Sequence, residues 1–300
     1  MPCYAWGMTQ GQDVETDADA IGLMLDREAA WVEFLDSEPA IKDQSQIDVD
    51  DGISPLKHLT SETAHASVIA AAGAMLSVNS LVLGMVIGQR PTAGNTLGPA
   101  IRAALLPATR ALSILHPDDR TLRVRRAVQA RTAELRAAVD SMKTLSGLSS
   151  MLGPAGEQER VQSLEQTQQV LTVLEQWLGG GPPHETTVIR TVARELGVEV
   201  HARGADGDFI RDLMVRGWVV YSADAHGWTW QNGLKGELQE AREFAPGRFQ
   251  ANWRPDGGRF LADALTVSNL TQTAFDFWRI RASQTDEEWG AQMAKNQWPA

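Results

Sequence analysis

Residues 66–88 carry no charged side chain. An uninterrupted neutral stretch of this length folds either as a membrane-spanning helix or as the innermost helix of a bundle. Ser67, Ser77, Asn79 and Ser80 fall inside it, alanine and glycine dominate it, and no cluster of lysine and arginine flanks it. Those features oppose a lipid-facing span, so a buried core helix is the expected solution.

The neighbouring segments have the pattern needed to cover such a helix. Ile21, Met24, Leu25, Trp31, Phe34 and Leu35 recur near the helical period after Asp17 or Asp19, and the run stops near Pro39. Residues 42–55 are acidic and proline-punctuated and read as a loop. Ser61 or Thr60 then caps the neutral helix, with Glu62 favourably placed at the positive end of its dipole. A second apolar helix spans about 95–115, with a kink expected at Pro107, and Asp118 and Asp119 open an arginine-rich helix over 118–146.

A glutamine-rich helix over 157–178 ends at the glycine and proline run 179–183, the strongest breaker in the chain. Beyond it the pattern predicts helices over 185–196 and 208–225 with a short strand at 198–201 between them. A helix over 234–244, a long one over 259–281 and a short one over 286–295 follow. No fixed-period repeat appears, and no heptad pattern long enough for a coiled coil.

The expected architecture is all-α: a multi-helix bundle around a buried apolar central helix at about 66–88, with at most a minor strand. Residues 1–58 form an N-terminal arm with one helix packing on the bundle, 59–282 the bundle, with a sub-boundary at 179–183, and 283–300 a C-terminal tail. At 300 residues, 43% apolar and 22% charged, the chain is composed like an ordinary globular protein. A net charge of −11 opposes non-specific binding to nucleic acid or anionic lipid. The single cysteine, Cys3, excludes an intrachain disulfide, and with no secretory signal pattern at the start a cytoplasmic, soluble protein is expected.

No phosphate-binding loop, dinucleotide fingerprint, zinc-protease motif or nucleophile elbow is present. The six histidines lack metal-ligand spacing, so neither a metal nor a cofactor is expected. Ser222 and His226 sit four apart, on one helical face, as a serine and its base would; the same spacing beside Gly227 also describes a helix C-terminus. Arg110 and His116 would suit metal-independent RNA cleavage, the guanidinium on the scissile phosphate and the imidazole near the 2′-hydroxyl, and equally a helix closing before Pro117. Arg120, Arg123 and Arg126 belong to a basic series that would track phosphates or form a solvated, carboxylate-paired face. Trp218, Trp228, Trp230, Trp253, Trp278, Trp289 and Trp298 crowd the C-terminal third, and packing is their expected role ahead of base stacking.

The segment 96–117, ending Leu112-Ser113-Ile114-Leu115-His116-Pro117 and followed by Arg120 and Arg123, resembles the core of uncharacterised all-helical proteins of high-GC bacteria. In those proteins a helix reading Leu-x-Arg-x-x-Leu-Glu ends in Leu-Leu-Asp-Pro, and a later Ser-x-x-x-His-Gly matches Ser222, His226 and Gly227. Leu106 stands here where that pattern has glutamate, and His116 where it has aspartate. The resemblance implies a bundle distantly similar to HEPN-like helical domains, some of which are ribonucleases. The expected function is therefore a non-catalytic helical interaction or regulatory protein with Arg102, Ser222 and His226 as a polar cluster inside the bundle. The alternative is a HEPN-like metal-independent ribonuclease using Arg110 and His116. A protein partner is expected ahead of nucleic acid, a homodimer is allowed, and no membrane is involved.

Overall fold

The computed structural model describes residues 17–86, 94–146, 149–225, 236–246, 248–255 and 257–294. Among them, ten helices and one antiparallel hairpin follow in the order α1 (Asp17–Leu35), α2 (Gln46–Ile53), α3 (Leu59–Val86), α4 (Gly94–Leu115), α5 (Arg120–Leu145), α6 (Ser149–Leu178), α7 (Glu185–Ala202), α8 (Gly207–Ala225), β1 (Gly236–Ala245), β2 (Arg248–Pro255), α9 (Gly257–Ser283) and α10 (Asp286–Ala294). The fold is an all-α bundle.

The neutral stretch forms most of α3, which packs against α1, α2, α4, α5 and α9. It is the one described helix long and apolar enough to cross a membrane. Val68, Ala71, Ala72, Met75 and Val78 are fully buried along one side, while the small residues Ala66, Ala70, Ser77 and Ser80 face outward. Several polar groups inside this segment bond locally or to α1, while the buried Asn79 Oδ1 has no partner among the described residues. The hydroxyls of Thr63, Ser67 and Ser80 donate to the carbonyls four residues back, and the Asn79 amide donates to the Met24 carbonyl (3.4 Å) and the Glu28 carboxylate (3.3 Å).

α3 shares the centre with α4, which packs on α3, α5, α7, α8 and α9. Ile101, Ala104, Ala108, Ala111, Leu112, Ile114 and Leu115 have no exposed surface. α4 passes through Pro107 as one helix, although the proline deprives the carbonyl four residues back of its donor. Buried apolar residues on both sides of 179–183 belong to one contiguous core, from Leu174 through Ile189 to Met214, so that breaker is a loop within the bundle.

Three local expectations give way to tertiary contacts. The acidic stretch 42–55 contains α2, capped by Ser45, because Gln46, Ile47 and Asp50 are buried against the bundle. The α3 N-terminus is capped from α2: Asp51 Oδ1 accepts the Thr60 and Ser61 amides at 2.8 and 3.0 Å, in place of a cap from either residue's own hydroxyl. The strand expected at 198–201 lies inside α7, where Val200 is buried and Val198 points to solvent with 68% of its surface exposed.

The helix expected at 234–244 is instead β1, paired antiparallel with β2 from Gly236↔Pro255 to Ala245↔Arg248. Its glutamates and alanines favour a helix, but Pro246-Gly247 is a turn pair. The aromatic, arginine-rich segment after it supplies a partner strand, and pairing overrides propensity. α6 includes an extra N-terminal turn, broken at Gly153 (φ 69°), with Pro154 starting the regular run.

α7 and α8 cross at glycines. A methyl group on Gly197 would lie 2.7 Å from the Gly207 carbonyl oxygen, and one on Gly207 would drive into the Gly197 carbonyl. Gly207→Ala is therefore expected to destabilise by about 1–3 kcal/mol in urea unfolding. Gly22→Ala in α1, where nothing lies within 4 Å of the added carbon, should be neutral or stabilising by up to about 1 kcal/mol.

Candidate functional site

Most of the side chains singled out for chemistry belong to α4 and α5, and the structure pairs them with carboxylates, chiefly on α7 and α2. Arg102 donates from Nε to the Ser222 hydroxyl (3.1 Å), lies 4.6 Å over the Trp218 ring and approaches Glu185 at 3.8 Å. Trp218 is held in turn by a bond from its indole nitrogen to Thr186 (3.1 Å). The guanidinium and serine of the expected polar cluster are thus brought together, while His226 lies outside the described residues.

Arg110 and His116 are not brought together. Arg110 bonds Glu185 (3.0 Å) and lies 3.6 Å from Glu134; His116 Nε2 meets Glu199 at 2.6 Å, with its ring edge-on to Phe277. Six helical residues separate the two side chains by about 120° around the α4 axis, and Glu185 and Glu199 lie about 21 Å apart along α7. Their separate carboxylates draw the guanidinium and the imidazole in different directions. Burial pushes the Glu199 carboxyl up, but His116 and Arg203 outweigh it and hold the group below the usual carboxylate range. The imidazole is therefore engaged by an ionised acid.

Of the α5 arginines, Arg123 is buried and Arg120 and Arg126 are half-buried in carboxylate pairs, while Arg125 and Arg131 are exposed, Arg131 pairing with Glu134 on the surface. Arg126 makes a two-pronged pair with Glu195 (2.9 and 2.5 Å) and bonds the Ser113 carbonyl. Arg123, 1% exposed, grips Asp50 with Nε and Nη2 (2.6 and 2.8 Å), while Nη1 donates to the Pro117 and Asp118 carbonyls. Arg120 lies 3.2 Å from Asp50 and bonds Asp286. Phosphate contact through these three side chains would require breaking pairs already made within the fold.

The densest polar constellation was not singled out by sequence. Arg281 of α9 is fully buried beside Arg123 and donates to the Leu115 and Pro117 carbonyls (3.1 Å each), to Asp118 (2.9 Å) and to Gln46, with the Trp289 ring 5.2 Å away. Burial lowers the Arg281 pKa, and the neighbouring Arg123 lowers it further, against Asp118 and Asp50. Burial raises the Asp50 carboxyl against the opposing effect of Arg123, Arg120 and Arg281. Two guanidiniums thus hold the carbonyls of the α4–α5 corner, and α2 supplies their acid and amide partners. Arg281 closes a run through Phe277, Trp278 and Ile280, and a cation on that buried stripe is the signal that would have found it.

A second buried acid, Asp263 of α9, accepts the Tyr221 hydroxyl and pairs with Arg216, both on α8. Of the other histidines, His184 caps α7 by accepting the Thr186 amide, and His58 lies 3.7 Å from Asp51. His65 is wedged between Phe34 and Trp278, and burial lowers its pKa. Among the described residues no group of three His, Cys, Asp or Glu could hold a metal ion. No family model, curated protein or solved structure matches this chain.

Removing Asp50 would leave Arg123 buried without its acid. Asp50→Ala should cost about 3–5 kcal/mol in equilibrium unfolding, or abolish folding. Asp263 generates a pH dependence of definite sign. Burial raises its folded pKa, ahead of the opposing effects of Tyr221 and Arg216. Its contribution to stability is therefore largest below the unfolded carboxylate value of about 3.9 and declines as pH climbs through the folded value. Urea midpoints measured against pH should show that decline in the wild type and lose it in Asp263→Asn.

Proposed function

We propose that this chain is a non-catalytic helical protein, an interaction or regulatory module working in the cytoplasm, in which the charged residues of α4 and α5 hold the fold together. The observation carrying this reading is that Arg110 and His116 answer to different carboxylates at opposite ends of α7. A metal-independent nuclease needs a base and a cationic stabiliser converging on one reacting phosphate, within hydrogen-bond reach of the same atoms. Here each group is neutralised by its own acid, and Ser222 is bonded to a guanidinium rather than to a described base. The same pairs have an architectural use: Arg102, Arg110, His116 and Arg126 join α7 to α4 and α5 along its length.

The net charge of −11 and the internal pairing of Arg123 and Arg126 favour a protein partner over nucleic acid. α3, though apolar enough to span a bilayer, packs one side against five helices and carries exposed small and hydroxyl residues on the other, which favours a water-soluble chain.

The test is incubation of the purified chain with mixed RNA in the presence of EDTA, beside His116→Ala and Arg110→Ala. No cleavage above the buffer control is expected from any of the three. Cleavage by the wild type that disappears in both variants would replace this reading with the HEPN-like ribonuclease.

A further inference from the structure

α6 is unlike every other long helix in the molecule. It has 30 residues, among the described elements only α5 makes a substantial contact with it, and among its described side chains Leu174 alone is buried. Its less exposed positions, Arg160, Leu164, Thr167, Leu171, Leu174 and Leu178, recur at alternating spacings of four and three. Val128, Thr132, Leu135, Val139 and Met142 do the same on α5. That is the seam of an antiparallel two-helix coil, bracketed by Arg160 donating to the Met142 carbonyl (2.9 Å) and Arg136 bonding Glu175 (2.7 Å). The sequence pattern on either helix is too short to declare itself.

The opposite side of α6 is neutral. Gln158, Gln162, Gln166, Gln169 and Gln176 are all exposed, and Val173 and Trp177 stand among them with 43% and 42% of their surface in solvent. At 3.6 residues per turn these seven positions fall within about 100° of one another, facing away from the α5 seam. No formal charge lies among them, with Glu159 and Glu165 at the edges.

We propose that two copies of this chain associate through the outer strip of α6, packing α6 on α6 about a two-fold axis with each α5 on the far side. Chains of net charge −11 repel one another, so copies approach most easily where a face carries no carboxylate. A neutral strip also offers nothing to steer a basic or acidic partner. The glutamine amide both donates and accepts, so a strip of glutamines satisfies itself when apposed to its own image. Val173 and Trp177 supply the apolar contact at one end of the strip, and tryptophan is enriched at interfaces.

The strip from Gln158 to Trp177 is about 28 Å long and a helix is about 10 Å wide. The buried area per partner is then on the order of a few hundred Å², below the roughly 800 Å² of a standard interface, so the dimer is weak and concentration-dependent. The proposal deepens the interaction reading by naming a partner, and it stands apart from the question of RNA cleavage.

Sedimentation equilibrium of the full chain over a wide concentration range tests it. The mass should rise from 32.7 kDa towards twice that value. The double variant Gln166→Glu with Gln169→Glu should associate at least about tenfold more weakly, with unchanged far-UV circular dichroism. So should Gln166→Lys with Gln169→Lys, and mixing the two variants should restore the dimer. A wild type that is monomeric throughout, or a glutamate variant that dimerises as the wild type does, overturns the proposal. A monomer without nuclease activity sinks the dimer alone, and a dimer that cleaves RNA sinks only the non-catalytic reading.

Discussion

The corner between α4 and α5 is held by a buried ionic knot, and the relative placement of five helices depends on it. Arg123 spends one side of its guanidinium on Asp50 and the other on the Pro117 and Asp118 carbonyls. Arg281 closes the same corner from α9 through Leu115, Pro117 and Asp118. Backbone carbonyls at a helix C-terminus need donors when water is excluded, and two fully buried arginines supply them. Asp50 makes the burial of those cations tolerable. The short helix α2 exists in this place because that acid, and Gln46 beside it, must reach the knot. Its amide contact just past the end of α9, Gln46 to the Gln284 carbonyl at 2.9 Å, fixes the approach.

With that corner fixed, α4 runs through the middle of the molecule and presents opposite sides to α3 and to the α7–α8 pair. The two sides hold by different forces. α4 packs extensively on the alanine-rich α3, and its own small residues Ala104, Ala108 and Ala111 are fully buried. Towards α7 the apolar contact is rimmed by ion pairs, from Arg102 and Arg110 at Glu185 to His116 at Glu199. Exposed pairs of this type contribute little each, but half-buried ones with two-pronged geometry, such as Arg126 with Glu195, fix register and orientation. The groups that look most reactive in the sequence are therefore the ones that seat α7.

The α5–α6 hairpin stands outside this arrangement. Its inner seam is satisfied within the hairpin, and its outer face is a strip of glutamines with two apolar residues rather than the charged surface found elsewhere on an acidic chain. A helix with one narrow apolar seam, packed chiefly on one neighbour, gains little from the core.

The sequence by itself determined the helical class, the neutral innermost segment and most helix ends. Hydrophobic period, proline, glycine and capping residues act within a few positions of one another, so they can be read along the chain. It did not determine where charged side chains go. Asp50 and Arg123 are 73 residues apart and Arg281 and Asp118 are 163 apart, and even where an apolar stripe marks an arginine as buried, nothing local names the acid that meets it. Arg102 and Ser222 could be grouped from the pattern, yet the divergence of Arg110 from His116 emerges only once α7 lies against α4 and offers each its own acid. The β1–β2 hairpin was lost for the same reason. Its helix-favouring residues take extended form because a partner strand is available, and pairing energy belongs to the tertiary structure.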